Sequence, residues 1–193
     1  LNAVVSVFAD HAAISVTDLA CGTGSTFRTL STLLPARQSW RLVDNDLSLL
    51  ARVRPGSLPA GINVVTTPVD LGRDLELALD GTVDLVTISA FLDLASADWL
   101  ERFTVECAVR NLPIYAALSY DGRASCDPAD SKDEAIVAAV NKHQLGDKGF
   151  GLSLGPAAAA DAIVRLERLN YTVVQGRSDW VFAPHDRDIQ LEV

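Results

Sequence analysis

Apolar residues in this chain come in short runs rather than in strict alternation with polar ones. Such runs occupy positions 14–19, 40–43, 62–66, 83–88, 114–118, 171–174 and 180–182. Most are continuous and rich in β-branched residues, which is how strands read when both faces are buried, as in a parallel sheet. The segments between them follow a helical period. Phe27, Leu30, Leu33 and Leu34 share one face, and Pro35 ends that run. Leu100, Phe103 and Cys107 form a second face, opened by Asp98 with Glu101 three residues on, a capping-box pattern. Ser131 with Glu134 repeats the signal ahead of Ile136, Val137 and Val140. Gly155-Pro156 puts proline at a first helical position, ahead of Ile163, Leu166 and Leu169. Shorter helices are expected at 46–53 and 71–79, each following a strand.

Strand and helix therefore alternate, which predicts a doubly wound α/β sheet with right-handed crossovers. The last two runs break the rhythm. Only residues 175–179 separate them, too few for a crossover helix, so they should pair as a hairpin and reverse the final strand. The predicted fold is a mostly parallel, seven-stranded sheet with an antiparallel last strand. The whole of 1–193 reads as one domain, with an insert at about 120–155 that lacks strand character. In an open α/β sheet ligands sit at the carboxyl ends of the strands, and insertions there shape the substrate side.

Composition narrows the function classes. The 193 residues are 49% hydrophobic, enough for a sizeable core. Sixteen Lys and Arg against 25 Asp and Glu give a net charge of −9. Such a surface repels phosphate backbones and anionic headgroups, which argues against nucleic-acid and membrane partners. No apolar stretch reaches the roughly 18 residues of a spanning helix. Cys21, Cys107 and Cys126 are odd in number and widely spaced, which points to a reducing compartment, the cytoplasm, rather than a disulfide framework. The sequence has no Met. This leads to the expectation that it is a piece of a longer protein.

The chemistry concentrates after the first predicted strand, in Asp18-Leu19-Ala20-Cys21-Gly22-Thr23-Gly24. Small residues at 20, 22 and 24 let the backbone turn tightly and approach a ligand closely. Asp44 closes the second strand, where a carboxylate accepts the hydroxyl hydrogens of a ribose. Together they predict an adenosine-containing cofactor across the first two strand ends. A dinucleotide fingerprint would place a third Gly or Ala three residues after Gly24, and Phe27 stands there instead.

Residues 18–24 resemble the first motif of the class I S-adenosylmethionine-dependent methyltransferases, with Ala20 in place of the usual first glycine. The likeness runs from about Val16 to Phe182. It implies that Asp18 orients the methionine end and that Ala20, Cys21, Gly22, Thr23 and Gly24 wrap the sulfonium and amino-acid portion. It implies further that Asp44 holds the ribose with Asn45 beside the adenine, and that Asp70 and Leu71 meet the adenine edge. Ser89, Ala90 and Phe91 would line the floor near the transferred methyl. Related enzymes commonly carry an amino-terminal segment that closes over the cofactor, and part of such a lid is expected to be missing here.

Other readings remain open at this level. Asp44 and Asp70 could each be an ordinary helix cap. Cys21 reads as a small filler, since no His is near it in sequence. His11, His143 and His185 show no metal spacing. The serines lack a Gly-x-Ser-x-Gly elbow, and the fourth strand lacks the Asn/Asp-Pro-Pro-Tyr box of amino-methylating nucleic-acid enzymes. Tyr120, His143, Lys148 and Phe150, with Gln144, are candidates for the acceptor pocket; no residue reads as catalytic, although His143, Tyr120 or Asp93 would serve if a base were needed. The acceptor is expected to be a small molecule. Alternatives are an NAD(P)-dependent oxidoreductase and a non-catalytic binding subunit of the same fold.

Overall fold

The computed structural model describes residues 1–53 and 58–190, the side chains of 189 and 190 excepted. Five strands, β1 (Ile14–Leu19), β2 (Gln38–Asp44), β3 (Ile62–Pro68), β4 (Leu85–Ser89) and β5 (Ile114–Ala117), form one sheet ordered β3-β2-β1-β4-β5. Every neighbouring pair is parallel. The chain moves outward from β1 to β3 and then returns to lay β4 on the other side of β1. The ends of β1 and β4 therefore flank the point where strand order reverses, where an open α/β sheet forms its crevice.

The continuous apolar runs are explained by two cores, one on each sheet face. Val16, Trp40, Leu42 and Leu85 pack beneath α1 (Asn2–Phe8) and α2 (Ser25–Leu30), with Phe27 edge-on to Trp40 at 5.1 Å. Leu19, Val43, Val86 and Ile88 point the other way, against α5 (Ala97–Val109) and α7 (Ala158–Arg168). Each fully buried large side chain contributes about 1.5–3 kcal/mol. Short helices α3 (Leu47–Leu50) and α4 (Leu75–Ala78) follow β2 and β3. Helix α6 (Asp133–Gln144) lies in the long connection between β5 and α7, and α8 (Arg187–Gln190) comes last. Among the described residues, no helix is long and apolar enough to cross a membrane.

Several expectations are corrected. Among the described residues the sheet has five strands rather than seven, and no antiparallel strand. Residues 171–174 and 180–182 form no ladder: Val174, Trp180 and Val181 are 73%, 67% and 83% exposed. Strand propensity expresses fit to a half-buried surface, and an isolated two-stranded hairpin is marginal in water. Residues 175–182 are exposed throughout and have no such surface beneath them, while Tyr171 and Val173 are half-buried without a ladder partner among the described residues. Side chains tether the segment instead, with the Tyr171 hydroxyl donating to the Leu112 carbonyl at 2.9 Å and Arg123 paired to Asp179.

The cap of α5 is Ser96, whose hydroxyl accepts the Trp99 N–H at 3.2 Å, so Asp98 lies inside the helix rather than opening it. The helix expected from Ser131 begins at Asp133 and buries none of its residues. Helices α3 and α4 are shorter than the 46–53 and 71–79 expected, and part of the first range, 54–57, lies outside the described residues.

Candidate cofactor site

After β1 the chain turns through 20–24 into α2. Ala20, Gly22 and Gly24 all have positive φ, at 50°, 54° and 83°. A Cβ on Gly22 would meet nothing within 4 Å, so the loop borders open space there. Ala20 is joined by Ala90 (φ 51°) and Leu118 (φ 56°), left-handed residues that carry a Cβ, at the ends of β1, β4 and β5. Such conformations are disfavoured for side-chain-bearing residues and cluster at functional sites.

Asp44, at the end of β2, ties this loop down. One carboxylate oxygen accepts the Gly22 N–H at 2.9 Å, and the other accepts the Asp46 N–H at 3.0 Å. It is not a helix cap. Asp46 fills that role for α3, accepting the N–H groups of Ser48 and Leu49. Asn45 is exposed beside it. Asp70 is likewise not the cap of α4, which is Asp74. Its Oδ1 accepts the Gly72 N–H at 2.9 Å, and the other oxygen has no hydrogen-bond partner among the described residues. The Val69 N–H donates to the Asp44 carbonyl at 3.1 Å and holds the β2 and β3 ends together. Leu71 is buried, and its carbonyl accepts the Trp99 indole N–H at 2.8 Å.

Asp18 is the most unusual group. It is fully buried in β1, opposite Thr87 of β4, whose hydroxyl donates to Oδ1 at 2.6 Å. Its Oδ2 is buried with no hydrogen-bond partner among the described residues. Burial raises the Asp18 carboxyl from its ordinary 3.8 to about 7; the Thr87 bond opposes the rise and the charge of Asp44 adds to it. Burial also pushes the Cys21 thiol up to about 12, so it stays protonated and acts as filler.

At the end of β4, Ser89 is half-buried and Ala90 donates its N–H to the Ala117 carbonyl at 2.9 Å. Phe91 is buried, with its ring 5.0 Å from Trp99 and 4.9 Å from Phe150. The acceptor candidates divide. The Tyr120 N–H donates to Oδ1 of the buried Asp93 at 3.3 Å, and its hydroxyl to Asn141 Oδ1 at 2.8 Å. His143 and Lys148 sit together, Nζ 3.3 Å from Nδ1, with no hydrogen bond to the strand-end residues among those described. Phe150 instead joins the aromatic cluster beside Gly72. Sequence reasoning missed Thr87 and Gly72. A threonine inside an apolar strand signals only β-branching, and its pairing with Asp18 depends on register.

The chain matches no protein-family model and no curated protein. Its fold, by contrast, is that of the S-adenosylmethionine-dependent methyltransferases. It is similar to a putative methyltransferase in complex with the Trm112 activator of Haloferax volcanii, with TM-score 0.53 and 15% identity over 90% of this chain and 68% of that one. The magnesium protoporphyrin IX methyltransferase of Synechocystis gives TM-score 0.53 and 14% identity over 90% of this chain and 73% of that one. The small RNA methyltransferase HEN1 gives 0.57 and 13% identity over 86% of this chain and 21% of that one. The chain thus spans from about a fifth to about three quarters of the length of these neighbours. Two of these names carry different acceptors, magnesium protoporphyrin IX and small RNA, as expected where one fold hosts many functions.

Proposed function

We propose that the protein transfers a methyl group from S-adenosylmethionine to a small-molecule acceptor. The observation that carries this reading is the unpartnered, fully buried Asp18 oxygen close to the open glycine loop. A buried carboxylate without a full set of partners is costly, and a cationic group arriving at the loop offsets that cost. The residues present therefore fit this cofactor. Asp18 and the 20–24 loop would take the methionine end, Asp44 the ribose, Asn45, Asp70 and Leu71 the adenine, and Ser89, Ala90 and Phe91 the floor near the reacting atoms. When bound, S-adenosylmethionine supplies an electrophilic methyl on a good leaving group. The chain's own contribution is to hold donor and acceptor in line and to keep water out. No residue is assigned as a base, since one is needed only where the acceptor carries a proton to be removed.

Phe27 weighs against the dinucleotide alternative. It lies three residues after Gly24, where close helix packing on a dinucleotide loop needs Gly or Ala, and it is buried against Trp40. The acidic balance favours a small-molecule acceptor over nucleic acid.

Titration calorimetry with S-adenosylmethionine, S-adenosylhomocysteine, NAD and NADP tests the reading. Micromolar binding of the two sulfur compounds, without the dinucleotides, is the expected result; no sulfur-compound binding below the millimolar range overturns it. Asp44→Ala should weaken that binding by about 1.5–3 kcal/mol, roughly ten- to a hundredfold, through loss of charge-assisted bonds.

A further inference from the structure

Residues 147–152 form a tight loop with Phe150 at its tip. An antiparallel bridge joins Asp147 to Leu152. The carboxylate of Asp147 accepts the N–H groups of Gly149 and Gly151 at 2.7 and 3.1 Å, and both glycines have positive φ. The chain just beyond is fastened to the connection between β4 and α5. The Ser153 hydroxyl donates to the Leu94 carbonyl and the Leu154 N–H to the Ala95 carbonyl, both at 2.8 Å.

This loop holds the Phe150 ring against Phe91 and Trp99, with centroids 4.9 and 5.9 Å away and both nearly edge-on. Phe91, Trp99 and Phe103 are buried, whereas Phe150 is only half-buried, so it is the solvent-facing member of the cluster. Asp70 lies close by. A methyl group on Gly72 would meet Asp70 Oδ1 at 3.1 Å and Phe150 Cε1 at 3.7 Å, with the Gly149 carbonyl also at 3.7 Å. The loop thus reaches contact distance of the acidic turn at Gly72, where a side chain would crowd only the Asp70 carboxylate. The turn is itself fixed by Trp99 on the Leu71 carbonyl and by Arg102 on the carbonyls of Gly72 and Arg73 at 2.8 Å each.

Resting on the cofactor reading above, we propose that Phe150 is a cofactor-contacting residue, which walls the adenine end from the 120–155 segment instead of lining the acceptor pocket. The arrangement suits a flat aminopurine. The unpartnered oxygen of Asp70 accepts an exocyclic amino group, and the half-buried ring of Phe150 offers an aromatic surface to the base. A hypoxanthine in the same position would set a carbonyl against the carboxylate, so the pair also selects for adenine.

Calorimetry on the wild type and on Phe150→Ala, Phe150→Leu and Phe150→Tyr tests this, with S-adenosylhomocysteine, methylthioadenosine and S-inosylhomocysteine as probes. Leucine retains apolar bulk and loses the aromatic face, and tyrosine retains the face. Phe150→Ala and Phe150→Leu should weaken both adenine ligands by the same factor, about tenfold, at an unchanged melting temperature for Phe150→Leu. Phe150→Tyr should stay within about twofold of the wild type, and the inosine compound should bind the wild type poorly. If the wild type binds S-adenosylhomocysteine and Phe150→Leu binds it equally well, the assignment of Phe150 is overturned while the cofactor reading stands. If the wild type binds neither adenine ligand, the cofactor reading itself falls. Should Phe150→Ala fail to fold, the leucine and tyrosine variants still decide.

Discussion

In β1 every residue from Val16 to Leu19 is buried, whereas in α6 not one residue is. Both segments carry apolar patterns of the expected period. The difference lies in what each meets. β1 is central, paired on both edges and covered on both faces, so its side chains are enclosed whichever way they point. Helix α6 leaves Ile136 57% and Val140 41% exposed. Periodicity marks an apolar stripe; whether it becomes core depends on a neighbour that local sequence does not name.

The largest expected effect tests that contrast directly. Leu100 on α5 is fully buried in the core that also holds Trp99 and Phe103. Leu100→Ala should cost about 2–5 kcal/mol through lost burial and the cavity left behind. Ile136→Ala on α6 should stay within about 0.5 kcal/mol. Urea denaturation of the two variants measures both. Equal losses would mean that α6 is packed after all and that the two regions do not differ.

The same contrast governs what was legible in the sequence. β1, β2 and β4 are readable because burial on both faces writes a continuous apolar run. The edge strands β3 and β5, which bury no residue fully, are readable from their β-branched and aromatic composition alone. The Asp18 to Gly24 turn is readable because a tight loop restricts residue type. At Asp44 and Asp70 spacing alone does not separate a carboxylate that ties a loop from a helix cap; their partners, Gly22, Asp46 and Gly72, show that neither caps a helix. The hairpin expected at 171–182 does not form because its second run, exposed throughout, has strand composition without a surface to cover. Phe150 was found as a candidate and given to the acceptor side. Its place beside Gly72 arises from a contact across dozens of residues, which spacing does not encode.

Asp18 sharpens the comparison from the buried side, since the same enclosure that makes β1 core also perturbs its one carboxylate. Its folded value of about 7 lies above the ordinary 3.8. The folded protein keeps a proton that the unfolded chain has released. The associated stability is therefore present in full below about 3.8 and is lost as pH rises through about 7. Between pH 5 and 8 the wild type should lose on the order of 2–3 kcal/mol from this group, and Asp18→Asn should remove that slope. Asp46, Glu76 and Asp121 are lowered by their hydrogen bonds to Ser48, Arg102 and Arg123, so they titrate below this window. Urea midpoints at several pH values give the slopes. Parallel slopes for the two proteins would show that Asp18 is ionised in the fold at neutral pH.

The smallest effect is expected where composition promised most. Val181 belongs to the run 180–182 that reads as a strand, yet it is 83% exposed. Val181→Ser removes apolar surface that is already in water, so stability should change by no more than about 0.5 kcal/mol. Had the run been paired and half-buried in a sheet, the same change would combine lost burial with a poorly satisfied hydroxyl and cost about 1–3 kcal/mol. A loss of that size in urea denaturation would return 180–182 to the sheet and erase the distinction from β1. A change near zero means that the segment's apolar residues add little to the fold, and that stability resides in the two cores packed against the five parallel strands.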